Sequence, residues 1–373
     1  MESIVRIADN ILSPLGRTTM ENYQAVKTGQ SALRCYEHLW DLPEACVVSL
    51  MERDTVEVDG SYTFFEKMAI QSAAEALSQT NLDPSSPRVV FVVSTTKGNV
   101  HLLGESEGVD ERVLPGVAAE VIAAYFHNPN RPVVVSNACT SGVCAQIEAM
   151  RLLWQHTYDY AVVVGADVLS PFIVSGFQCL KALSPDFCRP FDAHRKGLNL
   201  GEAAATIVLA RGEAGERTPW RLVSGAIRND ANHISGPSRV GEGSYRTLRT
   251  VLQDAGEENL AFVNAHGTAT IYNDEMESIA IERAELAHLP VGSLKGHFGH
   301  TLGAAGVLET LISMCAVDDH VVLPTRGFES LGVTHPLLVS NELRPTDGNA
   351  FIKLLSGFGG CNAALLCRKE VTL

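Results

Sequence analysis

The sequence predicts an α/β fold made of two similar halves. A chain of 373 residues with 46% hydrophobic and 19% charged residues can bury a large core, and this length suggests about two units of roughly 100–200 residues each. Short runs rich in valine and isoleucine break into Gly, Ser, Thr or Asn and then into helix-like segments, a pattern typical of strands with crossover helices. The same order of signals recurs on both sides of a polar segment near the middle of the chain.

The apolar runs mark the predicted strands, which we expect to be parallel. They cover residues 89–94, 132–136, 160–165, 204–210, 260–265, 290–292 and 349–354. The predicted helices cover residues 65–78, 117–126, 142–154, 274–287 and 303–317.

The polar segment, residues 211–219, has the composition of a linker and divides the chain into predicted halves 1–213 and 214–373. In the first half, the strand after the one that ends at Ser94 leads to Cys139 and then into a helix. In the second half, one strand ends near His266, and the next leads through His300 into a helix. Since the strand ends of two similar α/β halves meet at a crevice, we expect these residues to share one site.

Charge and cysteine content exclude several classes of function. The chain has 29 Lys and Arg against 43 Asp and Glu, a net charge of −14, so nucleic acid and anionic membranes are not expected partners. Nine cysteines without a Cys-x-x-Cys pair indicate free thiols in a reducing compartment. The amino terminus lacks a signal-peptide pattern, and no apolar run approaches the roughly 20 residues of a membrane span. We therefore expect a cytoplasmic protein.

Cys139 stands at the turn between a buried strand and a helix. A cysteine at such a turn is often an inert core residue. A helix N-terminus favours an anion by about 0.3–1 kcal/mol, occasionally about 2, while one pKa unit corresponds to about 1.4 kcal/mol. The helix is thus expected to lower the thiol pKa from about 8.5 to near 7, with a nearby imidazole doing the rest.

His266 follows a predicted strand and opens a loop rich in Gly and Thr. A lone histidine after a strand is usually structural. Here Thr268 and Thr270 offer hydroxyls to a polar ligand, and an acidic cluster with Asp274 and Glu277 follows. These neighbours favour a functional interpretation of the histidine.

Lys295 and His300 are the main polar groups of a segment of small residues, 292–306. From residue 301 to 317 the only charge is Glu309. A single carboxylate in so apolar a helix needs a buried cationic partner, and Lys295 is the obvious candidate. His297 and His300 have the i, i+3 spacing of a metal-binding pair, but no third ligand is positioned, so no metal is expected.

A Gly-rich turn at residues 356–362 centres on Phe358. It lacks the Lys-Ser/Thr of a phosphate-binding loop and the strand-to-helix spacing of a dinucleotide fingerprint. Donation from its backbone to an oxyanion suits it better.

These four motifs resemble those of the β-ketoacyl-[acyl-carrier-protein] synthases. The resemblance rests on Asn-Ala-Cys-Thr-Ser-Gly at 137–142, His-Gly-Thr-Ala-Thr at 266–270, Lys295 with Gly-His-x-Leu-Gly-Ala-Ala-Gly at 299–306, and Gly-Phe-Gly-Gly-x-Asn at 357–362. It extends from Asn-Ile-Leu-Ser-Pro-Leu-Gly at 10–16 to the end of the chain. The chain is most similar to the elongating, type II fatty-acid and polyketide branch.

The resemblance implies a thiolase-like fold, with two similar halves in a five-layered αβαβα arrangement. Cys139 would accept an acyl group from acyl-carrier protein. His266 and His300 would stabilise the enolate formed when malonyl-acyl-carrier protein loses carbon dioxide, and its carbanion would attack the thioester to give 3-oxoacyl-acyl-carrier protein. The backbone amides of Cys139 and Phe358 would form the oxyanion hole, and Phe358 would gate the pocket.

The resemblance also assigns supporting roles and partners. Lys295 would orient the two histidines and balance Glu309, and Asp274 would support the site structurally. Thr268 and Thr270 match positions that contact the phosphopantetheine arm. Acyl-carrier protein would be the partner, with no metal and no cofactor beyond its phosphopantetheine arm. A dimer is implied, either a homodimer or a heterodimer with a related ketosynthase-like subunit.

The chain departs from the family pattern in three places. The segment 94–132 is short, Asn273 stands where a Gly commonly precedes Asp274, and Glu-Ala-Ala-Ala at 202–205 replaces a Gly-bearing version. These departures leave acyl-chain length, pocket shape and pathway open. The shortened segment lies close to the acyl tunnel in the resembled enzymes, which favours a specialised fatty-acid or polyene pathway over the housekeeping one.

Other functions fit the residues less well. A thiolase needs a second catalytic cysteine in its C-terminal Gly-rich loop, where Phe358 holds the central place, although Cys361 is near. Initiating synthases and chalcone-synthase-like enzymes use Cys-His-Asn, and His300 argues against both. A chain-length-factor-like subunit, which shapes the cavity of a partner synthase, typically lacks the nucleophile that Cys139 provides.

Overall fold

The strands and helices of this computed structural model are described for residues 3–103, 109–212, 219–253 and 259–370. The strands are β1 Ile4–Leu12, β2 Arg34–Tyr36, β3 Cys46–Ser49, β4 Val89–Ser94, β5 Val133–Val135, β6 Tyr160–Asp167, β7 Leu200–Gly201, β8 Ala203–Arg211, β9 Trp220–Asn229, β10 Leu260–Asn264, β11 Pro290–Gly292, β12 Val321–Val322, β13 Leu338–Val339, β14 Arg344–Pro345, β15 Ala350–Gly357 and β16 Cys361–Lys369.

The α-helices are α1 Thr19–Lys27, α2 Phe64–Ser78, α3 Pro115–Tyr125, α4 Ser141–Trp154, α5 Pro171–Cys179, α6 Glu242–Gln253, α7 Ile271–Arg283, α8 Lys295–Phe298 and α9 Ala305–Asp318. Helix starts follow local sequence signals. At α2, the Thr63 hydroxyl accepts from the Glu66 amide at 3.2 Å while the Glu66 carboxylate accepts from the Thr63 amide at 2.9 Å, a capping box. No helix within the described ranges is both long enough and apolar enough to cross a membrane.

The strand order repeats between the two halves. The main sheet runs β13-β11-β10-β15-β16-β9-β1-β8-β6-β4-β5. The β9–β1 contact divides it into six strands and five strands, and the extra strand is β13 at one edge. When β13 is left out and each set of five is numbered by order in the chain, both sets read 3-2-4-5-1, as β5-β4-β6-β8-β1 and β11-β10-β15-β16-β9. This repeat supports the proposed division into 1–213 and 214–373, although residues 213–218 lie outside the described part of the chain.

Alternate residues of each strand face two different layers. In β4, Val92 packs into a central core with α4 and α9, whereas Phe91 faces α2 and α3. In β15, Phe351 faces the same central core, whereas Ile352 faces α6 and α7. The layers therefore run helices α2 and α3, sheet, helices α4 and α9, sheet, helices α6 and α7. This is the expected five-layered αβαβα arrangement.

The expectation of parallel strands was wrong for part of the sheet. β4 pairs in parallel with β5 and β6, but β8 is antiparallel to β1 and β6, and β16 is antiparallel to β15 and β9. All predicted strands and helices have counterparts. The sequence did not predict β1, β9, β13 and β16 of the main sheet, the short strands outside it, or helices α1, α5, α6 and α8. β1 and β9 carry charged residues such as Arg6 and Arg221 at half-buried positions, which weakens the apolar signal of a buried strand.

The repeat places the reactive residues together. Strands β5 and β11 hold the same position in their halves, and the chain after each leads to one of the two helices of the central layer, α4 and α9. The turn before α4 carries Cys139 and the segment before α9 carries His300. Of the short segment 94–132, residues 104–108 lie outside the described part of the chain.

Candidate active site

Cys139 is held in a tight turn between β5 and α4. Ala138, directly before it, has a φ of 48°, a left-handed conformation that is costly for a residue with a side chain. The turn is fixed by hydrogen bonds from the Thr140 hydroxyl to the Asn137 carbonyl at 2.7 Å and from the Asn137 amide to the Ser141 hydroxyl at 2.7 Å. The thiol is thus presented at the start of α4 at a defined place, with 7% of the residue exposed.

The charge state of Cys139 differs from the sequence expectation. Burial raises the pKa of the thiol to about 11, although Lys295, Lys97 and the Phe358 amide each lower it. The expected value near 7 was wrong because the sequence argument counted the helix N-terminus and left out the cost of placing a thiolate in a buried site. At neutral pH the thiol is protonated, so it becomes a nucleophile only when a base removes its proton.

His266 is positioned by carboxylates behind its loop. The His266 amide donates to Glu277 Oε1 at 2.6 Å and the Gly267 amide donates to Glu277 Oε2 at 2.7 Å. The Thr268 amide donates to Asp274 Oδ1 at 3.0 Å. The two carboxylates therefore fix the backbone of the histidine loop. Glu277 accepts two of these three hydrogen bonds, a role that the sequence did not indicate.

Asn273, a departure from the family pattern, bridges the same two carboxylates. Its Nδ2 donates to Glu277 at 2.8 Å and to Asp274 at 3.3 Å. Burial raises the pKa of Asp274 to about 6. Burial, followed by the charge of Asp274, also raises the pKa of Glu277. An amide between two buried carboxylates supplies donors that a glycine side chain cannot.

His300 is oriented by its own chain neighbours. Its amide donates to the Asn199 carbonyl at 2.7 Å, and the Leu302 amide donates to His300 Nδ1 at 3.3 Å. Because Nδ1 accepts a hydrogen bond, the proton of the neutral ring lies on Nε2. His300 is therefore a hydrogen-bond donor through Nε2.

The Cys139 thiol and both histidines converge. The Cys139 sulfur and one ring nitrogen from each of His266 and His300 lie within 4.8 Å of one another. The two imidazole rings meet edge to face, with centroids 5.1 Å apart and planes at 81°. Burial, followed by the charge of Lys295, lowers the pKa of both histidines well below the usual value. Two neutral imidazoles thus face one protonated thiol.

Cys139, His266 and His300 are close enough together to hold a metal ion. The spacing considered from the sequence was that of a different pair, His297 with His300. His297, its supposed partner, turns away, and His297 Nδ1 lies 2.6 Å from the Gln30 carbonyl. The two histidines do not share one helix face, because Gly299, with a φ of 70°, ends helix α8 between them. The neighbours of His300 come instead from two distant segments.

Lys295 and Glu309 form the predicted ion pair, and a second lysine joins it. Lys295 Nζ lies 2.8 Å from Glu309 Oε1, and Lys353 Nζ lies 2.6 Å from Glu309 Oε2. All three side chains are buried. Burial opposes ionisation of Glu309, but Lys295 and Lys353 together hold its pKa below the usual value. The sequence signal of Lys353 is a single charge inside the apolar run 350–355, which the sequence analysis did not use.

Replacing Glu309 with alanine should lower the melting temperature because two buried ammonium groups lose their counterion. Removing one partner of a buried ion pair usually costs about 3–5 kcal/mol. The activity of the site should fall as well. The matched control is Glu329→Ala, which removes an exposed ion pair with Arg189 and should cost at most about 1 kcal/mol. Equal melting temperatures for the two variants would show that the buried pairing does not contribute to stability.

The Gly-rich loop closes over the nucleophile. The Phe358 amide donates to the Cys139 thiol, and a Cβ at Gly357 would lie 3.1 Å from the Cys139 amide nitrogen. The Phe358 ring packs against Phe177 with centroids 5.7 Å apart. The Gly-rich loop therefore lies directly against the Cys139 turn.

A cavity of about 530 Å³ connects these groups to solvent. Six of the predicted site residues line it, namely Cys139, His266, Thr268, Thr270, His300 and Phe358. The Thr268 and Thr270 hydroxyls lie 2.9 Å apart. Lys295, Glu309 and Asp274 lie behind this lining as buried support. Sequence reasoning named Glu277 only as part of the acidic cluster, and it missed Lys353.

The sequence matches the models of both β-ketoacyl synthase domains. Residues 52–214 match the model of the β-ketoacyl synthase N-terminal domain, and residues 221–329 match that of the β-ketoacyl synthase C-terminal domain. The 3-oxoacyl-[acyl-carrier-protein] synthase 2 of Coxiella burnetii is 27% identical over 402 residues, which cover 95% of this chain and 96% of the relative. A putative polyketide β-ketoacyl synthase 1 of Streptomyces halstedii is 30% identical over 341 residues, which cover 81% of each chain.

A solved structure shows the same architecture. The crystal structure of a β-ketoacyl synthase from Burkholderia phymatum superposes with a TM-score of 0.88 at 25% sequence identity, and the match covers 100% of both chains.

Proposed function

This chain belongs to the β-ketoacyl synthase family, and we propose that it condenses an acyl group held on Cys139 with malonyl-acyl-carrier protein. The products are 3-oxoacyl-acyl-carrier protein and carbon dioxide. The observation that carries the proposal is the convergence of Cys139 with two neutral histidines, within 4.8 Å, on the cavity wall. The direct test is an assay with acyl- and malonyl-acyl-carrier protein. The purified chain should form the 3-oxo product and release carbon dioxide in equal amounts, and no product would contradict the proposal.

The first half-reaction transfers the acyl group to the thiol. Cys139 is protonated at rest, and His300 Nδ1 already accepts from the Leu302 amide. His266 is therefore the imidazole proposed to take the thiol proton and to return it to the departing phosphopantetheine thiolate. The amides of Cys139 and Phe358 stabilise the oxyanion of the tetrahedral intermediate.

The second half-reaction forms the carbon–carbon bond. The malonyl thioester loses carbon dioxide, and the negative charge moves onto the thioester oxygen, where Nε2–H of His300 and the ring of His266 donate. The resulting carbanion attacks the acyl thioester on Cys139. The intermediate collapses with release of the Cys139 thiolate, which takes up one proton and returns the enzyme to its resting state.

The substrates are proposed to enter on the phosphopantetheine arm of acyl-carrier protein. The cavity is long enough to connect the thiol with solvent, and the Thr268 and Thr270 hydroxyls on its wall suit the amide groups of such an arm. No other cofactor and no metal enters the proposed reaction. Two lysine ammonium groups beside the histidines, Lys295 and Lys353, disfavour a divalent cation at the Cys-His-His cluster.

The alternatives from the sequence are less well supported. For a thiolase, Cys361 is the needed second cysteine, yet its thiol donates to Asn137 Oδ1 at 2.9 Å and is held at the cavity edge. A chain-length-factor-like subunit does not need the ordered Cys139 turn. The relatives carry names of both fatty-acid and polyketide enzymes. The nine free cysteines support the proposed cytoplasmic location.

The working unit is proposed to be a dimer, formed with a copy of this chain or a related subunit. Strand β5 ends the main sheet order, and within the described residues it pairs only with β4. Its residues Val133, Val134 and Val135 are half-buried, and an apolar edge strand without a neighbour invites pairing with another chain. If the partner is a second copy of this chain, sedimentation of the purified chain at micromolar concentration should give twice its 40.1 kDa mass. An active monomer would contradict the dimer proposal.

A further inference from the structure

Lys353 places an ammonium group inside the sheet, directly behind the active site. The residue lies in β15 and is fully buried. Its Nζ faces five oxygens: Glu309 Oε2 at 2.6 Å, Asn264 Oδ1 at 2.9 Å, the Ala265 carbonyl at 3.0 Å, the Leu354 carbonyl at 3.1 Å and the Asn264 carbonyl at 3.2 Å. Burial of a charge is unfavourable unless it is well paired. This set of oxygens supplies one negative charge and four dipoles around it.

The oxygens connect Lys353 to the catalytic histidine. Asn264 and Ala265 are the two residues before His266, and Asn264 lies opposite Lys353 in the parallel register of β10 and β15. Glu309 gives its other oxygen to Lys295. The Asn264 side chain also donates to the Ser313 hydroxyl at 2.7 Å, which ties the strand end to α9. A continuous set of polar contacts thus runs from Lys295 through Glu309 and Lys353 to the backbone of His266.

We propose that Lys353 is a positioning residue for the condensation, a tethered cation that fixes the strand end carrying His266 and sets the electrostatic potential at the histidine pair. The inference rests on the proposed function, because it concerns the half-reaction in which both histidines act on the malonyl thioester. The ammonium does not contact the cavity, and it acts through Asn264, Ala265 and Glu309.

The charge of Lys353 favours neutral imidazoles. Lys295 and Lys353 both lower the pKa of His266 and His300, in addition to burial. Loss of the positive charge of Lys353 raises these pKa values, so each imidazole becomes protonated at a higher pH than in the wild type. A protonated His266 cannot accept the thiol proton. The acid limb of elongation must then move to higher pH. Among the described residues, other charged or titratable groups near the pair are Lys295, Glu309, Glu277, Asp274, Arg195, Lys97, Asp167 and Cys139.

Truncation of Lys353 leaves a cage that a free cation can fill. Carbonyl and carboxylate oxygens at these distances are the ligands that replace the hydration shell of a small monovalent cation. Ammonium has the same charge as the head of lysine and offers four N–H donors where lysine offers three. Lys353→Ala should therefore respond to ammonium ions, whereas Lys353→Met keeps the cage filled with an uncharged side chain and should not.

The test measures two half-reactions in Lys353→Ala, Lys353→Met and the control Lys369→Ala. Lys369 pairs with Asp318 at 2.7 Å away from the cavity, and its variant should match the wild type. In both Lys353 variants, the acid limbs of self-acylation and of elongation should move to higher pH. Above these limbs, where the imidazoles are neutral, elongation should fall about 100-fold, whereas self-acylation of Cys139 should fall much less. Ammonium chloride should restore most of the elongation by Lys353→Ala, but not by Lys353→Met. Tetramethylammonium chloride, too large for the cage, controls for ionic strength.

Two results would overturn the proposal while leaving the proposed function intact. One is wild-type elongation with an unchanged pH profile in Lys353→Met. The other is equal loss of self-acylation and elongation in both variants without ammonium rescue, which would mean that Lys353 serves only to stabilise the fold. Failure of the proposed function looks different, because the wild-type chain itself would then give no 3-oxo product.

Discussion

Replacing Cys139 with alanine should abolish elongation and leave decarboxylation of malonyl-acyl-carrier protein measurable. No other group at the site can take the acyl chain in the proposed reaction, so the variant has no thioester for the carbanion to attack. The histidines that stabilise the enolate are still in place, and the enolate is then protonated to give the acetyl thioester. Both activities are measured on the same preparation, as 3-oxo product and as released carbon dioxide.

The matched control for this variant is Cys144→Ala. Cys144 lies in α4 five residues after Cys139, is also buried, and contacts the Thr140 hydroxyl at 3.5 Å. It has no role in the proposed reaction, so the folded variant should elongate normally. Condensation at the wild-type rate by Cys139→Ala would show that the acyl acceptor has been misassigned.

His300→Ala should keep the acylation of Cys139 and lose most of the elongation. The variant keeps Cys139, the Phe358 amide and His266, so acylation of Cys139 should continue. It loses the Nε2–H donor to the enolate, and removal of one oxyanion donor typically lowers kcat by about 10²–10³. The expected result is an acyl-enzyme that accumulates, seen by mass spectrometry, with elongation reduced by that factor. Normal elongation would remove His300 from the proposed mechanism.

The activity should not depend on a metal ion at the cluster of Cys139, His266 and His300. Chelation should leave the activity of the wild-type chain unchanged, and His297→Gln should elongate normally because His297 faces the Gln30 carbonyl outside the cavity. Zinc or iron present in stoichiometric amounts, and lost together with activity on chelation, would contradict the proposed chemistry.

The features that the sequence predicted well are local ones. Strands 89–94 and 290–292 have their predicted bounds, because short apolar runs bounded by polar residues are visible without knowledge of the fold. Cys139, His266 and His300 were identified because each follows a strand in a recognisable motif. The pairing of Lys295 with Glu309 was also predicted, since a single carboxylate in an apolar helix has to be balanced.

The features that the sequence did not predict depend on several elements at once. The pKa of Cys139 is set by burial under the Gly-rich loop, which lies more than 200 residues later in the chain. Lys353 meets its oxygens from β10, β15 and α9, and no spacing within one segment reveals such a set. The antiparallel strands β1 and β9 meet only because two halves join at the centre of the molecule.

The most direct measurement of the central claim is the mass of the acyl group held by the wild-type chain. The protein is incubated with a mixed pool of acyl-acyl-carrier proteins, digested and examined by mass spectrometry, before and after addition of malonyl-acyl-carrier protein. We expect one acyl group on the peptide that contains Cys139, lost on addition of the malonyl substrate as a product two carbons longer appears on the carrier protein. An acyl group on another residue, or elongation without any acyl-Cys139, would contradict the account.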